Sequence, residues 1–195
     1  LALAFLNEKN DASYTFYQDY PEKRLNIDFP VIRKDDIILC GSIYAITSEI
    51  RNKFMKLTAT SKENGAIVIY DPNFRPTHSS DLETLKPMII ENMKTATLIR
   101  GSDEDFKNIF EANTPDEAWN VVRKYCSCLV YTANSEGVYV RTTSYAGKFA
   151  VKAIKPGSTI GAGDNFNAGM MAAIYRNQIT IDQLDKMGEE LWSKI

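Results

Sequence analysis

Gly65-Ala66-Ile67-Val68-Ile69-Tyr70-Asp71-Pro72 is the stretch on which the fold turns. Ala66–Tyr70 is apolar and β-branched throughout, and a glycine and a proline bound it. A run of that length without polar alternation reads as a strand buried on both faces. Such a strand needs helices above and below it, which points to a mostly parallel sheet.

Working outward, the neighbouring segments fit that frame. Ile37–Cys40 is a short apolar run and reads as a strand. Ile50, Phe54 and Leu57 fall at helical spacing, so Ser48–Ser61 reads as a helix. Leu82–Met93 is helical in pattern, and Ala96–Ile99 is a further strand. Ser102-Asp103-Glu104-Asp105 opens a short helix through Phe110. Thr114-Pro115-Asp116-Glu117 is a helix start: Thr caps, Pro fits the first position, and Glu117 reaches back to the cap's N–H. That helix is expected to run to about Tyr125. Leu129–Thr132 and Val138–Arg141 read as strands around a polar turn ending in Gly137. Lys148–Ala153 reads as another strand, Asp164–Tyr175 as a helix, and a last helix is expected from Ile181. Upstream, Leu1–Leu6 and Ser13–Tyr17 read as a hairpin around the polar cluster Asn7–Asp11, and Tyr20–Pro30 as a loop. The alternation of strand and helix directs attention to the carboxyl ends of the strands, where ligands bind on such sheets.

The chemistry concentrates in Ser158-Thr159-Ile160-Gly161-Ala162-Gly163-Asp164-Asn165-Phe166-Asn167-Ala168-Gly169. A helix start presents unpaired N–H groups and a positive dipole end, and so receives anions. Gly161 and Gly163 let backbone approach a phosphate closely. Asp164, in the first turn, would hold its charge and could accept a proton from an attacking hydroxyl. The same residues also read as a glycine turn with Asp as a cap. Ala168, Gly169, Ala172 and Ala173 give the helix one side of small residues, suited to close packing at a ligand.

This stretch resembles the second signature of the ribokinase/PfkB carbohydrate kinases, in which Gly-Ala-Gly-Asp precedes a small-residue helix. The resemblance implies a ribokinase-like α/β fold and ATP-dependent phosphorylation of a sugar hydroxyl. It also implies that Asp164 is the catalytic base, that Gly161, Ala162 and Gly163 form the anion hole, and that Thr159 lies near the nucleotide phosphates. Asp71-Pro72-Asn73-Phe74-Arg75-Pro76 looks like the Asp-Pro-Asn-x-Arg segment of fructokinase-like members, which would turn Asn73 and Arg75 to the active site and favours fructose or a related ketose. Read alone, it is a turn. Thr132-Ala133-Asn134-Ser135-Glu136-Gly137 is similar to the family's Thr-x-Gly-x-x-Gly at the nucleotide, with Asn134 in place of the first Gly. Ser102 and Asp105 occupy the slots of the family's Asn-x-x-Glu, which helps hold Mg2+ through water and phosphate. They also read as an acidic capped helix start.

The resemblance divides the chain into residues 1–30, the remnant of a small β lid and its connection, and residues 31–195, an incomplete nucleotide-binding and catalytic domain. Family members carry roughly a hundred further residues ahead of this segment, by comparison with ordinary domain sizes. The chain starts without Met and stops inside a helical pattern, and is read as a fragment. The implied partners are a small-molecule sugar, ATP with Mg2+, and a second copy paired through the lid. The altered Ser102 and Asn134 leave open an alternative: a kinase-like module that binds nucleotide or sugar without turnover.

Composition limits the other classes. Lys plus Arg number 23 and Asp plus Glu 25, a net charge of −2 with no broad basic field for nucleic acid. No apolar run has the length of a membrane span. Cys40, Cys126 and Cys128 are an odd, sparse set rather than a disulfide framework, which fits the reducing cytoplasm. His78 is the only histidine, in a polar loop, so a Ser-His-Asp hydrolase is not expected. Neither Gly-x-x-x-x-Gly-Lys-Ser/Thr nor Gly-x-Gly-x-x-Gly occurs.

Overall fold

The computed structural model describes residues 2–6, 12–17, 19, 24–75, 81–152 and 159–195. His78 and the hairpin turn at 7–11 lie outside these. Strands β1 (Ala2–Leu6) and β2 (Ala12–Phe16) pair antiparallel as a small sheet of their own, with Ala2 opposite Phe16 and Leu6 opposite Ala12. The second sheet has six strands in chain order: β3 (Ile37–Gly41), β4 (Ile67–Asp71), β5 (Leu98–Ser102), β6 (Cys128–Ala133), β7 (Gly137–Thr142) and β8 (Ala146–Phe149). From β3 to β6 the pairing is parallel, and β7 and β8 close the far side antiparallel. The helices are α1 (Arg51–Glu63), α2 (Leu82–Thr95), α3 (Asp103–Phe110), α4 (Pro115–Val122), α5 (Ala162–Arg176) and α6 (Glu189–Trp192).

Three crossovers in succession run the same way along the sheet. Because such connections share one hand, their helices fall on one face. Phe54 of α1, Ile89 and Met93 of α2, Phe106 and Ile109 of α3, and Ala118 and Val122 of α4 pack there with Tyr70, Ile99, Leu129 and Tyr131. The alternate strand residues Ile67, Ile69, Leu98, Cys128 and Val130 face the other way, onto Met170 and Ile174 of α5 and Trp192 of α6. All five residues of β4 are buried, as its apolar run requires.

Several elements differ from the sequence reading. Strand β5 runs on to Ser102, because Arg100, Gly101 and Ser102 go on pairing with Val130, Tyr131 and Thr132 of β6. Helix α4 stops at Val122. Its Thr114 cap accepts from the Glu117 N–H at 3.2 Å, but the Glu117 carboxylate accepts from the N–H of Asn113, one residue ahead of the cap. Strand β8 covers Ala146–Phe149 and ends before Ala150. The segment after Ile181 is a chain of turns, and the last helix begins only at Glu189. Its apolar residues Ile181, Leu184 and Met187 recur every three positions, and the backbone bonds Gln183→Thr180, Leu184→Ile181 and Lys186→Gln183 span three residues each. That is 3₁₀-type bonding, which seldom persists. Cys126 and Cys128 are buried, as small residues leading into a strand, and burial pushes the Cys126 thiol up to about 11.

The turn after β4 is tied to the start of α3 by one carboxylate. Asp105 is buried; its Oδ1 accepts from the Phe74 N–H at 2.6 Å, and its Oδ2 accepts from the Ser102 N–H at 2.8 Å and hydroxyl at 2.7 Å. The Ser102 hydroxyl in turn accepts from the Asp105 N–H, completing a capping box. Burial raises the Asp105 pKa, and the bonds from Ser102 act against that rise. Truncation would strand the buried Phe74 N–H and the half-buried Ser102 N–H. Asp105→Ala is expected to cost roughly 2–4 kcal/mol, read as a melting temperature lower by on the order of 10 °C. An unchanged melt would remove this anchor from the account.

At the other end of the sheet, β3 has a neighbour on one side only among the described residues. Leu39 of that strand is 41% exposed. An open edge with apolar side chains recruits other chains. Residues 1–195 expressed alone are therefore expected to self-associate in light scattering and to melt over a broad range. A sharp, cooperative melt of a monomer would contradict this.

Candidate active site at the carboxyl ends of the strands

Helix α5 begins where the sequence places its glycines. Gly161 is the N-cap with φ 74°, a left-handed conformation that glycine adopts without a steric cost. At Gly163 the space is tight: a Cβ there would lie 3.2 Å from Nη1 of Arg100. The Ala162 N–H donates to Thr159 O at 3.2 Å and the Asn165 N–H to Gly161 O at 2.9 Å. The amides of Gly163 and Asp164 lie in the first turn, where no intrahelical acceptor is available. Of Gly161, Ala162 and Gly163, the residues expected to form the anion hole, Ala162 has its N–H engaged in the turn. Asp164 sits exposed in the same turn.

Two clefts meet at the carboxyl ends of the strands. The larger, of about 410 Å³, is lined by Ala162, Gly163 and Thr159 from the start of α5, and by Thr132, Asn134 and Gly137 from the β6–β7 turn. Asn73 and Arg75 from the turn after β4, and Ser102 to Asp105 from the start of α3, complete it. The smaller, of about 180 Å³, is lined by Asp164, Asp71, Asn73, Asn167 and the end of β3 at Leu39–Ser42. Asn73 belongs to both. The residues suited to phosphate and the residue suited to proton acceptance therefore face adjoining spaces rather than one.

The backbone around these clefts holds several left-handed residues that are not glycine: Ser42 (φ 59°), Asn73 (φ 42°) and Asn134 (φ 43°). Such conformations cost free energy and collect at functional sites. Asn134 stands where the resemblance has Gly, and it adopts the kind of conformation that a glycine there would supply.

Between the clefts lies a polar cluster that sequence reasoning missed. Arg100, on β5, donates from Nη1 to Asp71 Oδ2 and from Nη2 to Thr132 Oγ1, both at 2.9 Å. Asn167 of α5 donates to the same Asp71 oxygen at 2.7 Å, and the Asn73 N–H reaches Asp71 Oδ1 at 3.1 Å. Arg100, Asp71 and Asn167 are all buried, and the Arg100 guanidinium lies 5.3 Å from the centre of the Phe166 ring. The available signal was positional: Asp71, Arg100 and Thr132 lie at or near the carboxyl ends of consecutive strands. The small-residue side of α5 is not packed as expected. Ala168, Gly169 and Ala172 are exposed, and the helix is held by Asn167, Met170 and Ile174.

Among the described residues no group of three or more His, Cys, Asp or Glu side chains is placed to hold a metal ion. Both oxygens of Asp105 already accept hydrogen bonds, so the carboxyl oxygens at the cleft wall that remain are those of Asp103 and Glu104. No helix among the described residues is long and apolar enough to cross a membrane.

Residues 1–184 match the family of pfkB carbohydrate kinases. Among curated proteins, the chain is 27% identical to "Probable fructokinase-6, chloroplastic" of Arabidopsis thaliana, over 98% of this chain and 52% of that protein. It is also 27% identical to "Fructokinase-2" of Solanum lycopersicum, over 97% of this chain and 60% of that protein. Among solved structures, a fructokinase from Vibrio cholerae O395 with fructose, ADP and calcium bound superposes with a TM-score of 0.76 at 22% identity, over 89% of this chain and 57% of that one. An aminoimidazole riboside kinase from Salmonella enterica, complexed with aminoimidazole riboside and an ATP analogue, gives 0.69 at 19% identity, over 76% and 50%. The chain thus spans about half to three-fifths of the length of these relatives. With a mostly parallel sheet clad on both faces, a Gly-Ala-Gly-Asp helix start at its carboxyl edge and a family match over nearly its whole length, this chain belongs to the pfkB family of carbohydrate kinases.

Proposed function

We propose that the protein transfers the γ-phosphoryl group of ATP to a sugar hydroxyl, with Asp164 as general base. The observation that carries this reading is the pair of adjoining clefts. Asp164 lines the smaller with Asp71 and Asn167, and the first turn of α5 opens on the larger beside Arg75 and Thr132. A hydroxyl held in the first would stand next to a phosphoryl group held in the second. Asp164 takes the hydroxyl proton, the sugar oxygen bonds to the γ-phosphorus, and the bond to the ADP oxygen breaks. The first-turn amides of Gly163 and Asp164, with the helix dipole, meet the charge that develops on the phosphoryl oxygens.

On this reading Thr159, Thr132, Asn134, Gly137 and Ser102 form the nucleotide side, and Asn73 and Arg75 the junction. Arg75 is suited to two parallel bonds with phosphate. Mg2+ would neutralise phosphate charge, held by Asp103 and Glu104 and reached from Asp105 only through water. Fructose or a related ketose is the favoured acceptor, since the curated relatives carry fructokinase names. Pairing of two copies through the β1–β2 sheet and a cytoplasmic location belong to the same proposal, as does the division into a lid remnant at 1–30 and a catalytic part at 31–195.

The test is ADP release from ATP and Mg2+ over a sugar panel, made on the intact protein. Asp164→Asn is expected to lower kcat by on the order of 10²–10⁴ while ATP affinity stays close to that of the parent. Equal turnover by parent and variant would remove Asp164 from its role. Tight ATP binding with no sugar-dependent ADP release would favour a module that binds without turnover.

A further inference from the structure

The buried pair Asp71–Arg100 is not accounted for by the base and the anion-binding turn, and its placement is unusual. Arg100 lines the larger cleft and Asp71 the smaller, so the pair lies in the wall between them with its positive end on one side and its negative end on the other. Stability alone explains it poorly. A buried ion pair often does no better than apolar residues of the same size, and this cluster leaves Arg100 Nε and Asn167 Oδ1 buried with no partner among the described residues. Unsatisfied polar atoms of that kind are disfavoured unless something else requires them. The cluster also abuts the first turn of α5. Nη1 of Arg100 lies 3.2 Å from where a Gly163 Cβ would be, and Asn167, one turn beyond Asp164, is fastened to the same Asp71 oxygen that Arg100 bonds.

We propose that Asp71 and Arg100 form a fixed dipole that positions phosphoryl transfer. Arg100 seats the first turn of α5 and holds a positive charge behind the amides of Gly163 and Asp164, while Asp71, fastened to Asn167, keeps the negative end beside Asp164. The proposal rests on the kinase reading above. It assigns Arg100 and Asp71 as positioning residues that act through α5, not as groups that bond to the reacting atoms. The orientation matters because the two clefts need opposite things: negative charge gathers on the phosphoryl oxygens on one side, and a proton departs on the other. A dipole fixed by Thr132 and Asn167 does not reorganise as the reaction proceeds, which is the condition under which such charges are effective.

The experiment uses the intact protein and three variants: Asp71→Asn with Arg100→Met in one chain, Arg100→Lys, and Arg100→Gln. The double variant removes both charges together, which avoids leaving a lone buried ion. With a melting temperature near that of the parent, it is expected to lose on the order of 10²-fold in kcat, with KM for ATP within about threefold. A folded double variant with parental kcat would overturn the proposal and leave the pair a structural feature. Arg100→Lys keeps the charge without the fork, and is expected to retain at least about tenfold more kcat than Arg100→Gln. Equal losses in these two would also overturn it, whether or not the double variant folds. A parent that releases no ADP with any sugar would instead sink the kinase reading, and this proposal with it; an active parent with an equally active double variant would sink this proposal alone.

Discussion

The bond between Arg100 and Asp71 holds the functional end of the molecule together. An arginine on a central strand with helices on both faces reaches the cleft only at its edge and is otherwise buried, so its guanidinium must be met largely by acceptors from its neighbours. Asp71 on one adjacent strand and Thr132 on the other supply them, and Asn167 draws α5 onto the same carboxylate. Strand register, the seating of α5 and the absence of a side chain at Gly163 are thereby linked. The geometry of the Gly-Ala-Gly-Asp turn follows from the strands beneath it as much as from its own residues.

A second constraint comes from Asp105. Its carboxylate satisfies the turn after β4 and the first turn of α3 together, so Asn73 and Arg75 are held by a group that lies outside their own turn. The two acidic anchors do different things. Asp71 sits opposite a cation and divides two clefts; Asp105 sits opposite backbone amides and fixes a loop. Their shared effect is that most side chains lining the clefts project from backbone that is already tied down, which is what pre-organised transfer chemistry needs.

Much of this was legible in the sequence. The doubly buried run Ala66–Tyr70, the cap at Thr114, the capped helix start at Ser102–Asp105 and the Gly161–Asp164 turn all carry local signals, because each depends on neighbours a few residues away. Arg100 was not legible, since an arginine after Leu98-Ile99 reads as the end of a strand. Only its partners at Asp71 and Thr132, about thirty residues to either side, make it an interior residue. Asn167 was hidden among small residues for the same reason. The turns at 181–186 misled in the opposite sense: apolar residues three apart suggest an amphipathic helix, while the backbone bonds of that segment span three residues rather than four. Local chemistry was readable, and what long-range hydrogen bonding decides was not.

The left-handed backbone at Asn134 has a consequence for how such proteins are recognised. What that turn demands is a torsion angle, and glycine is merely the residue that meets the demand most cheaply. Asparagine meets it too, at φ 43° here, while a β-branched residue would not. A signature written as letters treats this chain as a defective copy of a glycine motif. Written as a dihedral, the demand is one that Asn can meet, and a search for the turn by backbone angle would admit chains that spell it with Asn or Asp.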